Sequence, residues 1–162
     1  MSFISTYRYI SAAACKGGVK VWGDLNGTLP IQAQRLACGA NFILCSTENE
    51  VFICGDYSYE GVPVMTDLNK IGDLSVKDMN AGSAHAVLVD LNGNVHVFGH
   101  GEKGELGLGP NTTHCPKITP SSLTNCSKVL CHGQVSVAIQ GSTVHVWGLV
   151  NPESLEGAHC NS

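Results

Sequence analysis

The chain has 162 residues, of which 43% are hydrophobic, so it is long enough for one domain with a buried core. Its formal net charge of -4 and its nine scattered Lys and Arg residues form no basic patch, and we expect no binding to nucleic acid. No apolar run reaches the length of a membrane span, so we also expect no membrane association. Nineteen glycines and six prolines instead favour a turn-rich β fold.

The predicted strands repeat one form along the chain. "VKVWGD", "VFICGD", "VHVFGH" and "VHVWGL" alternate apolar residues and each contains a closing glycine: Gly23, Gly55, Gly99 and Gly148. A second form precedes three of them, in "LACGANFILCS", "MNAGSAHAVLV" and "VLCHGQVSVAI", and has its own glycine: Gly39, Gly82 and Gly133. The nearly constant spacing between the two glycines of a pair predicts an internal repeat.

Turn residues join the strands within each repeat. Asn92-Gly93 is a strong hairpin signal between "HAVLV" and "VHVFG", and "TENE" and "QGST" separate the corresponding strands elsewhere. No long window has the apolar spacing of a helix. The sequence therefore predicts an all-β fold with one small antiparallel sheet per repeat.

The stretch "VHVFGHGEKGELGLGP" contains G-x-G-x-x-G at Gly99, Gly101 and Gly104, the spacing of a dinucleotide-binding loop. Such a loop needs a helix directly behind it, whose N-terminus binds the pyrophosphate. Here Gly107 and further glycine and proline residues follow, so no helix can start. We predict a loop with several glycines at positive φ and no nucleotide cofactor.

The stretch "MNAGSAHAVLVDLNGNVHVFGHGEKGELGLGP" resembles the repeat of the regulator of chromosome condensation family. It has the family's glycine and histidine between two strands, then phenylalanine-glycine and a glycine-rich loop before a proline, with Glu105 where glutamine is usual. The resemblance covers Ile10 to Leu149 and implies an incomplete β-propeller, an arc of three to four antiparallel blades. We expect the first repeat to keep only its last two strands, repeats over 1–150, and a polar tail over 151–162.

The repeat positions are predicted to be structural. The glycines serve tight turns and close backbone approach, the two tryptophans pack between blades, and the histidine bonds loop backbone between blades. These positions are Gly23, Gly39, Gly55, Gly82, His85, Gly99, Gly104, Gly107, Gly133, Gly148, Trp22 and Trp147. His96 and His145 share one repeat position with Lys20 and Phe52, so we do not expect them to be ligands.

The eight cysteines are predicted to be reduced and mostly buried: Cys15, Cys38, Cys45, Cys54, Cys115, Cys126, Cys131 and Cys160. Several occupy strand positions typical of small apolar residues. Arg8 interrupts any signal-peptide core, so we expect a cytoplasmic protein, with the nucleus as an alternative. His and Cys residues concentrate in the last third, but no C-x-x-C pair is present, and we expect no metal.

A catalytic constellation is not visible in the sequence. Acidic residues lie singly in turns and are predicted to be solvated: Glu48, Glu50, Asp56, Glu60, Asp90 and Glu105. We therefore expect a non-enzymatic protein-binding module that can also self-associate through its exposed blade ends. The resemblance implies one alternative, guanine-nucleotide exchange on a small GTPase, which needs no catalytic acid or base. A second alternative is a repeat fragment of a larger ubiquitin ligase or kinase.

Overall fold

The computed structural model describes residues 4–58 and 62–150. These residues form fifteen strands in four antiparallel sheets, which follow one another along the chain as propeller blades do. The all-β prediction is confirmed. No helix in the described ranges is long and apolar enough to cross a membrane.

Each sheet is a meander in which sequence neighbours pair. Sheet 1 contains β1 to β4: Ile4–Tyr7, Ile10–Cys15, Gly18–Gly23 and Gly27–Leu29. Sheet 2 contains β5 to β8: Arg35–Cys38, Phe42–Ser46, Glu50–Gly55 and Asn69–Asp73. Sheet 3 contains β9 to β12: Val76–Ala81, His85–Asp90, Val95–His100 and His114–Pro120. Sheet 4 contains β13 to β15: Lys128–His132, Val135–Gln140 and Thr143–Gly148.

Sheet 1 is complete, which corrects the expectation that the first repeat keeps only its last two strands. The two expected strands are β2 and β3, the middle pair of the sheet, and β1 and β4 flank them. The sequence pattern misses β1 because only four residues form it, and misses β4 because three residues starting at Gly27 carry little strand propensity. The partial sheet is sheet 4, since no fourth strand follows β15 as far as Val150.

Apolar side chains form three clusters, one between each pair of neighbouring sheets. Successive strand residues point to opposite faces, so Leu88 joins the cluster shared with sheet 2 while Val87 and Val89 join the cluster shared with sheet 4. Sheets 2 and 3 are thus buried on both faces. This double burial explains why "FILCS" and "HAVLV" are nearly continuous apolar runs.

The meander places the connections at two opposite ends of the blades. We call one end the long-loop face, which carries the β1–β2, β3–β4, β7–β8 and β11–β12 connections, including residues 101–113. The opposite short-loop face carries the β2–β3, β6–β7, β10–β11 and β14–β15 hairpins. The hairpin predicted at Asn92-Gly93 is confirmed: Asp90 Oδ1 accepts the N–H groups of Asn92 and Asn94, each at 2.9 Å.

Candidate partner-binding surface

The closing glycines turn the chain out of each sheet toward the long-loop face. Their φ angles are 104°, 103°, 103° and 100° at Gly23, Gly55, Gly99 and Gly148. A Cβ at Gly99 would collide with the carbonyl of Ala84, whose oxygen accepts the N–H of His100 at 2.8 Å. The same backbone bond follows each of the other three closing glycines. Only glycine combines this φ with this approach, so the repeat fixes where each long loop begins.

The second glycine of the repeat makes room for a ring. A Cβ at Gly82 would lie 2.5 Å from Cε1 of the His85 ring and 2.5 Å from the carbonyl oxygen of Gly133 in sheet 4. Gly39 makes the same room for the ring of Phe42 in sheet 2. Both glycines therefore serve close packing.

Gly133 differs from these two glycines. Its φ is +55°, and no atom lies within 4 Å of where a Cβ would be. It lies one residue later in a turn of the same length, since Cys131 pairs with Ser136 as Ala81 pairs with Ala86. Val135 therefore stands opposite Gly148 as His85 stands opposite Gly99. Counting from the glycine would select Ser136 instead of Val135, because Gly133 is shifted by one residue relative to Gly82.

His85 joins sheet 3 to sheet 4 through a side chain. Its Nε2 lies 2.8 Å from the hydroxyl of Ser136, which donates to the backbone carbonyl of Glu105 at 2.8 Å. Because the hydroxyl proton of Ser136 is used, the imidazole donates from Nε2. The ring is 1% exposed. Burial lowers the pKa of His85 to about 4, although the negative charge of Glu105 acts to raise it. The neutral ring contacts a side chain rather than the loop backbone that the sequence suggested.

The glycine loop of residues 101–113 packs against sheet 4 through Glu105. The carbonyl of Glu105 accepts a second hydrogen bond, from Trp147 Nε1 at 2.7 Å. Gly107, with φ +66°, lies directly beneath the indole. Glu105 is only 1% exposed, which corrects its prediction as a solvated loop charge. The two hydrogen bonds to its carbonyl draw the whole residue into the interface. Gly104 and Gly109 also have positive φ, as expected for this loop.

The two tryptophans have different surroundings although they occupy one repeat position. Trp147 is 6% exposed against the glycine loop of sheet 3. Trp22 is 47% exposed, which corrects its prediction as a residue packed between blades. No described sheet precedes sheet 1, so the indole of Trp22 has no glycine loop to contact.

Exposed large hydrophobic side chains concentrate on the long-loop face. Four of the eight such residues in the described ranges belong to its loops: Tyr9, Val62, Val64 and Leu149. Tyr9 is 75% exposed, next to Arg8, which is held at φ +49° in the β1–β2 turn. The short-loop face contributes only Leu91 to this set. The face with the longer loops therefore also carries the apolar anchors that partner surfaces need.

Tyr7 links three sheets beneath this face, a role that the sequence did not indicate. Its hydroxyl accepts the N–H of Gly133 at 3.0 Å and lies 2.9 Å from the hydroxyl of Ser83. Ser83 in turn donates its N–H to the carbonyl of Gly133 at 2.9 Å. These bonds tie the inner turns of sheets 1, 3 and 4 together, so the base of the surface is held in place.

An aromatic group lies where the long loops of sheets 2 and 3 meet. The rings of His100 and His114 stack with centroids 4.2 Å apart, and the Tyr57 hydroxyl lies 2.9 Å from Nε2 of His114. Burial, then the neighbouring His114, lowers the pKa of His100. Burial also raises the pKa of the Tyr57 hydroxyl. The three rings therefore pack against one another where the two loops begin.

Other polar side chains pair locally. Lys70 bonds Glu50 and Asp73 at the surface, Asp90 bonds His96 at 2.9 Å, and the equivalent His145 bonds Gln140 at 3.0 Å. In the described ranges, no group of three or more His, Cys, Asp or Glu side chains could hold a metal ion. Glu60, His159 and Cys160 lie outside those ranges, as does the predicted tail over 151–162.

The burial predicted for the strand cysteines is confirmed. Cys38, Cys45 and Cys54 are buried between sheets 1 and 2, and Cys115 and Cys126 lie between sheets 3 and 4. Burial raises the pKa of the Cys38 thiol to about 11 and that of Cys45 to about 12. Cys15 is exposed in sheet 1.

Four meandering sheets with glycine-closed strands define an arc of a β-propeller. No family model matches the chain. Over 152 residues it is 28% identical to the guanine nucleotide exchange factor SRM1 of Saccharomyces cerevisiae, covering 70% of this chain and 31% of that protein. Over 50 residues it is 32% identical to an RCC1 domain-containing protein of Dictyostelium discoideum, covering 31% of this chain and 10% of that protein. The chain thus spans a third or less of either relative.

Solved propellers share the fold. Human WBSCR16 superposes with a TM-score of 0.73 at 18% identity, covering 90% of this chain and 46% of that one. Prp20p of Saccharomyces cerevisiae superposes with a TM-score of 0.69 at 20% identity, covering 95% of this chain and 45% of that one. The chain therefore has the fold of these propellers and repeats similar to those of the regulator of chromosome condensation family, and it spans slightly under half of the solved propellers.

Proposed function

We propose that the chain is a non-enzymatic protein-binding module whose partner contacts the long-loop face. The observation that carries this proposal is the group of exposed apolar side chains on that face, Tyr9 and Leu149 among them. Leu149 directly follows Gly148, and the carbonyl of Tyr9 accepts the N–H of Asp24 at 2.8 Å. The backbone of both anchors is thus held in place, which limits the conformational entropy lost when a partner binds. A rigid, partly apolar loop surface on a β scaffold is a common binding site.

Charge on the same face indicates the chemistry of the partner. Asp24, Asp67 and Glu102 are exposed in its loops, as are the cations of Arg8 and Lys103. The acidic excess favours a partner with a basic patch around an apolar centre. Electrostatic attraction would then speed association and make it weaken with salt.

Paired variants test the surface. Tyr9→Ser removes an anchor of the long-loop face, and Leu91→Ser removes a comparably exposed side chain from the short-loop face. Proximity labelling in cells should find proteins that the wild type and Leu91→Ser label and that Tyr9→Ser does not. Binding of each purified candidate should fall on the Tyr9→Ser chain alone, with unchanged circular dichroism. If both variants retain or lose the same partners, the long-loop face is not the binding site.

Nucleotide exchange on a small GTPase is the second candidate. It is supported by the similarity to SRM1, which is named a guanine nucleotide exchange factor, and to Prp20p, whose structure is described with its binding to Gsp1p and histones. Release of fluorescent GDP from a panel of purified small GTPases tests it directly. Acceleration by the wild type and by Leu91→Ser, but not by Tyr9→Ser, would assign exchange to the long-loop face. Binding without acceleration would support the module alone.

The remaining proposals concern context. We place the protein in the cytoplasm, with the nucleus as the alternative, and imaging of a tagged chain distinguishes the two. A repeat fragment of a larger ubiquitin ligase or kinase stays a hypothesis, because the chain spans less than half of the propellers it matches. Detection of the endogenous protein at a mass well above that of 162 residues would favour it.

A further inference from the structure

The glycine loop of residues 101–113 forms a pocket on the long-loop face. The volume of this pocket is about 420 Å³, which is within the range typical of ligand-binding pockets. Four glycines are among its lining residues: Gly101, Gly104, Gly107 and Gly109. At Gly104 and Gly109 no described atom lies within 4 Å of where a Cβ would be. The described side chains therefore leave this space unfilled.

Hydrogen bonds hold the shape of this glycine pocket. The Glu105 carbonyl, in the middle of the loop, accepts two hydrogen bonds from side chains of sheet 4. Where the loop leaves and re-enters sheet 3, the N–H of Gly101 donates to the carbonyl of Thr113 at 2.9 Å. Between these points, the N–H of Gly107 donates to the carbonyl of Gly104 at 3.1 Å. A ligand thus meets a wall that is already ordered, so little entropy of the loop is lost on binding.

The charge of the glycine pocket is negative. Glu102, whose carboxylate is exposed, is the charged residue among those that line it. The neighbouring Lys103 does not line the pocket, and its backbone N–H donates to Oε1 of the buried Glu105. A carboxylate at the wall of a pocket attracts a cation and repels a phosphate. The pocket therefore suits a cationic group, in agreement with the rejection of a nucleotide loop.

We propose that the glycine pocket receives an arginine side chain of the partner that binds the long-loop face. This assignment rests on the proposed function, since it names one contact within that surface. Glycine has no Cβ, so a ligand can approach the backbone of the pocket closely. A flat guanidinium can lie against such peptide planes and donate two parallel hydrogen bonds to the Glu102 carboxylate, whereas a lysine ammonium has neither the plane nor the fork of donors.

A small probe tests the pocket without the partner. Acetyl-arginine-amide supplies the guanidinium, and acetyl-citrulline-amide supplies nearly the same shape without the charge. In an amide NMR titration of the full chain, the signals of the lining glycines should shift and saturate with a dissociation constant in the millimolar range, as for a ligand of this size. The citrulline probe should leave these signals unchanged, and acetyl-lysine-amide should bind more weakly. Added salt should weaken the binding of the arginine probe.

Two pairs of variants locate the contact. Glu102→Gln removes the carboxylate of the pocket, whereas Asp67→Asn removes an exposed charge elsewhere on the same face. Thr113→Lys adds a cation among the lining residues, whereas Asn111→Lys adds the same charge at an exposed loop position that does not line the pocket. Glu102→Gln and Thr113→Lys should each raise the dissociation constant of the arginine probe about 3-fold or more, and the two control variants less than about 2-fold.

Three results would overturn the proposal. They are the absence of a saturable shift at the lining glycines, binding of the citrulline or lysine probe as tight as that of the arginine probe, and an equal loss of binding in the control variants. None of them depends on the partners that Tyr9→Ser identifies. The long-loop face can therefore fail as a partner surface while the pocket binds the probe, and the reverse outcome is equally distinct.

Discussion

Acid should destabilise the fold through His85. The folded chain resists protonation of this ring, since burial lowers its pKa from the usual 6.5 to about 4. A proton added at Nδ1 would have no acceptor in the described residues, because that nitrogen has no hydrogen-bond partner there. The unfolded chain binds the proton near pH 6.5, so stability is retained above that pH and falls as the pH drops toward 4.

The size of the effect follows from the shift. A difference of one pKa unit corresponds to about 1.4 kcal/mol, so the change from 6.5 to about 4 amounts to about 3 kcal/mol at pH 4. Below pH 4 both states are protonated and no further loss arises from this group. For a domain whose total stability is typically about 5–15 kcal/mol, such a loss is readily measured.

The variant His85→Phe isolates this contribution from other groups that titrate in the same range. Phenylalanine already occupies the equivalent position in sheet 2, where Gly39 accommodates the ring of Phe42 as Gly82 accommodates His85. Urea unfolding at pH 7 and pH 4 should show the variant gaining about 3 kcal/mol relative to the wild type at the lower pH.

The control is Phe42→Leu, which changes the equivalent ring without changing any titratable group. Its difference from the wild type should be the same at both pH values. An NMR titration of the His85 ring should give a pKa of about 4 directly. If the wild type and His85→Phe lose stability in parallel, the buried imidazole does not cause the acid sensitivity, and its assignment as a neutral donor to Ser136 is wrong.

Other properties follow from the same contacts. Gly82→Ala should cost at least about 2 kcal/mol in urea unfolding because it crowds the His85 ring, whereas Gly17→Ala, with open space around it, should be nearly neutral. Trp147→Phe should cost about 1 kcal/mol by losing the bond to the Glu105 carbonyl, and an unchanged midpoint would show that this bond adds nothing. The Cys15 thiol should react with an exposed-thiol reagent well before the buried cysteines, and several disulfides found in protein from cells would contradict the reduced state. Titration with NAD, ATP or GTP should release no heat of specific binding, and micromolar affinity for any of them would reverse the rejection of a nucleotide loop.

Sequence reasoning predicted the sheets because two glycines recur at nearly fixed spacing and each has a physical reason to be glycine. Gly99 needs both its positive φ and its close approach to a carbonyl, and Gly82 needs space for a ring. These requirements are local, so they remain visible in the sequence. The outer strands β1 and β4 escaped prediction because they are short, and pairing with β2 and β3 rather than propensity holds them.

The contacts between blades could not be predicted in the same way. Glu105 and Trp147 are 42 residues apart, and the carbonyl that joins them belongs to the backbone, which leaves no pattern in the side chains. Tyr7 and Gly133 are 126 residues apart, and their bond depends on how four sheets are arranged around one axis. A charged residue in a glycine loop is usually solvated, so the burial of Glu105 follows only from the contact with the next sheet.

The interblade positions differ between sheets in a way that packing explains. Sheet 2 presents the apolar ring of Phe42 to sheet 3, and Ala86 of sheet 3 lies in the same apolar cluster. Ala86 occupies the strand position that Ser136 has in sheet 4. Sheet 3 presents the imidazole of His85 to sheet 4, which has Ser136 where sheet 3 has Ala86. The Ser136 hydroxyl accepts the ring N–H and donates to the Glu105 carbonyl. A buried imidazole opposite alanine would lack a partner for its N–H, at a cost of about 1–3 kcal/mol. Each blade is therefore matched to its neighbour.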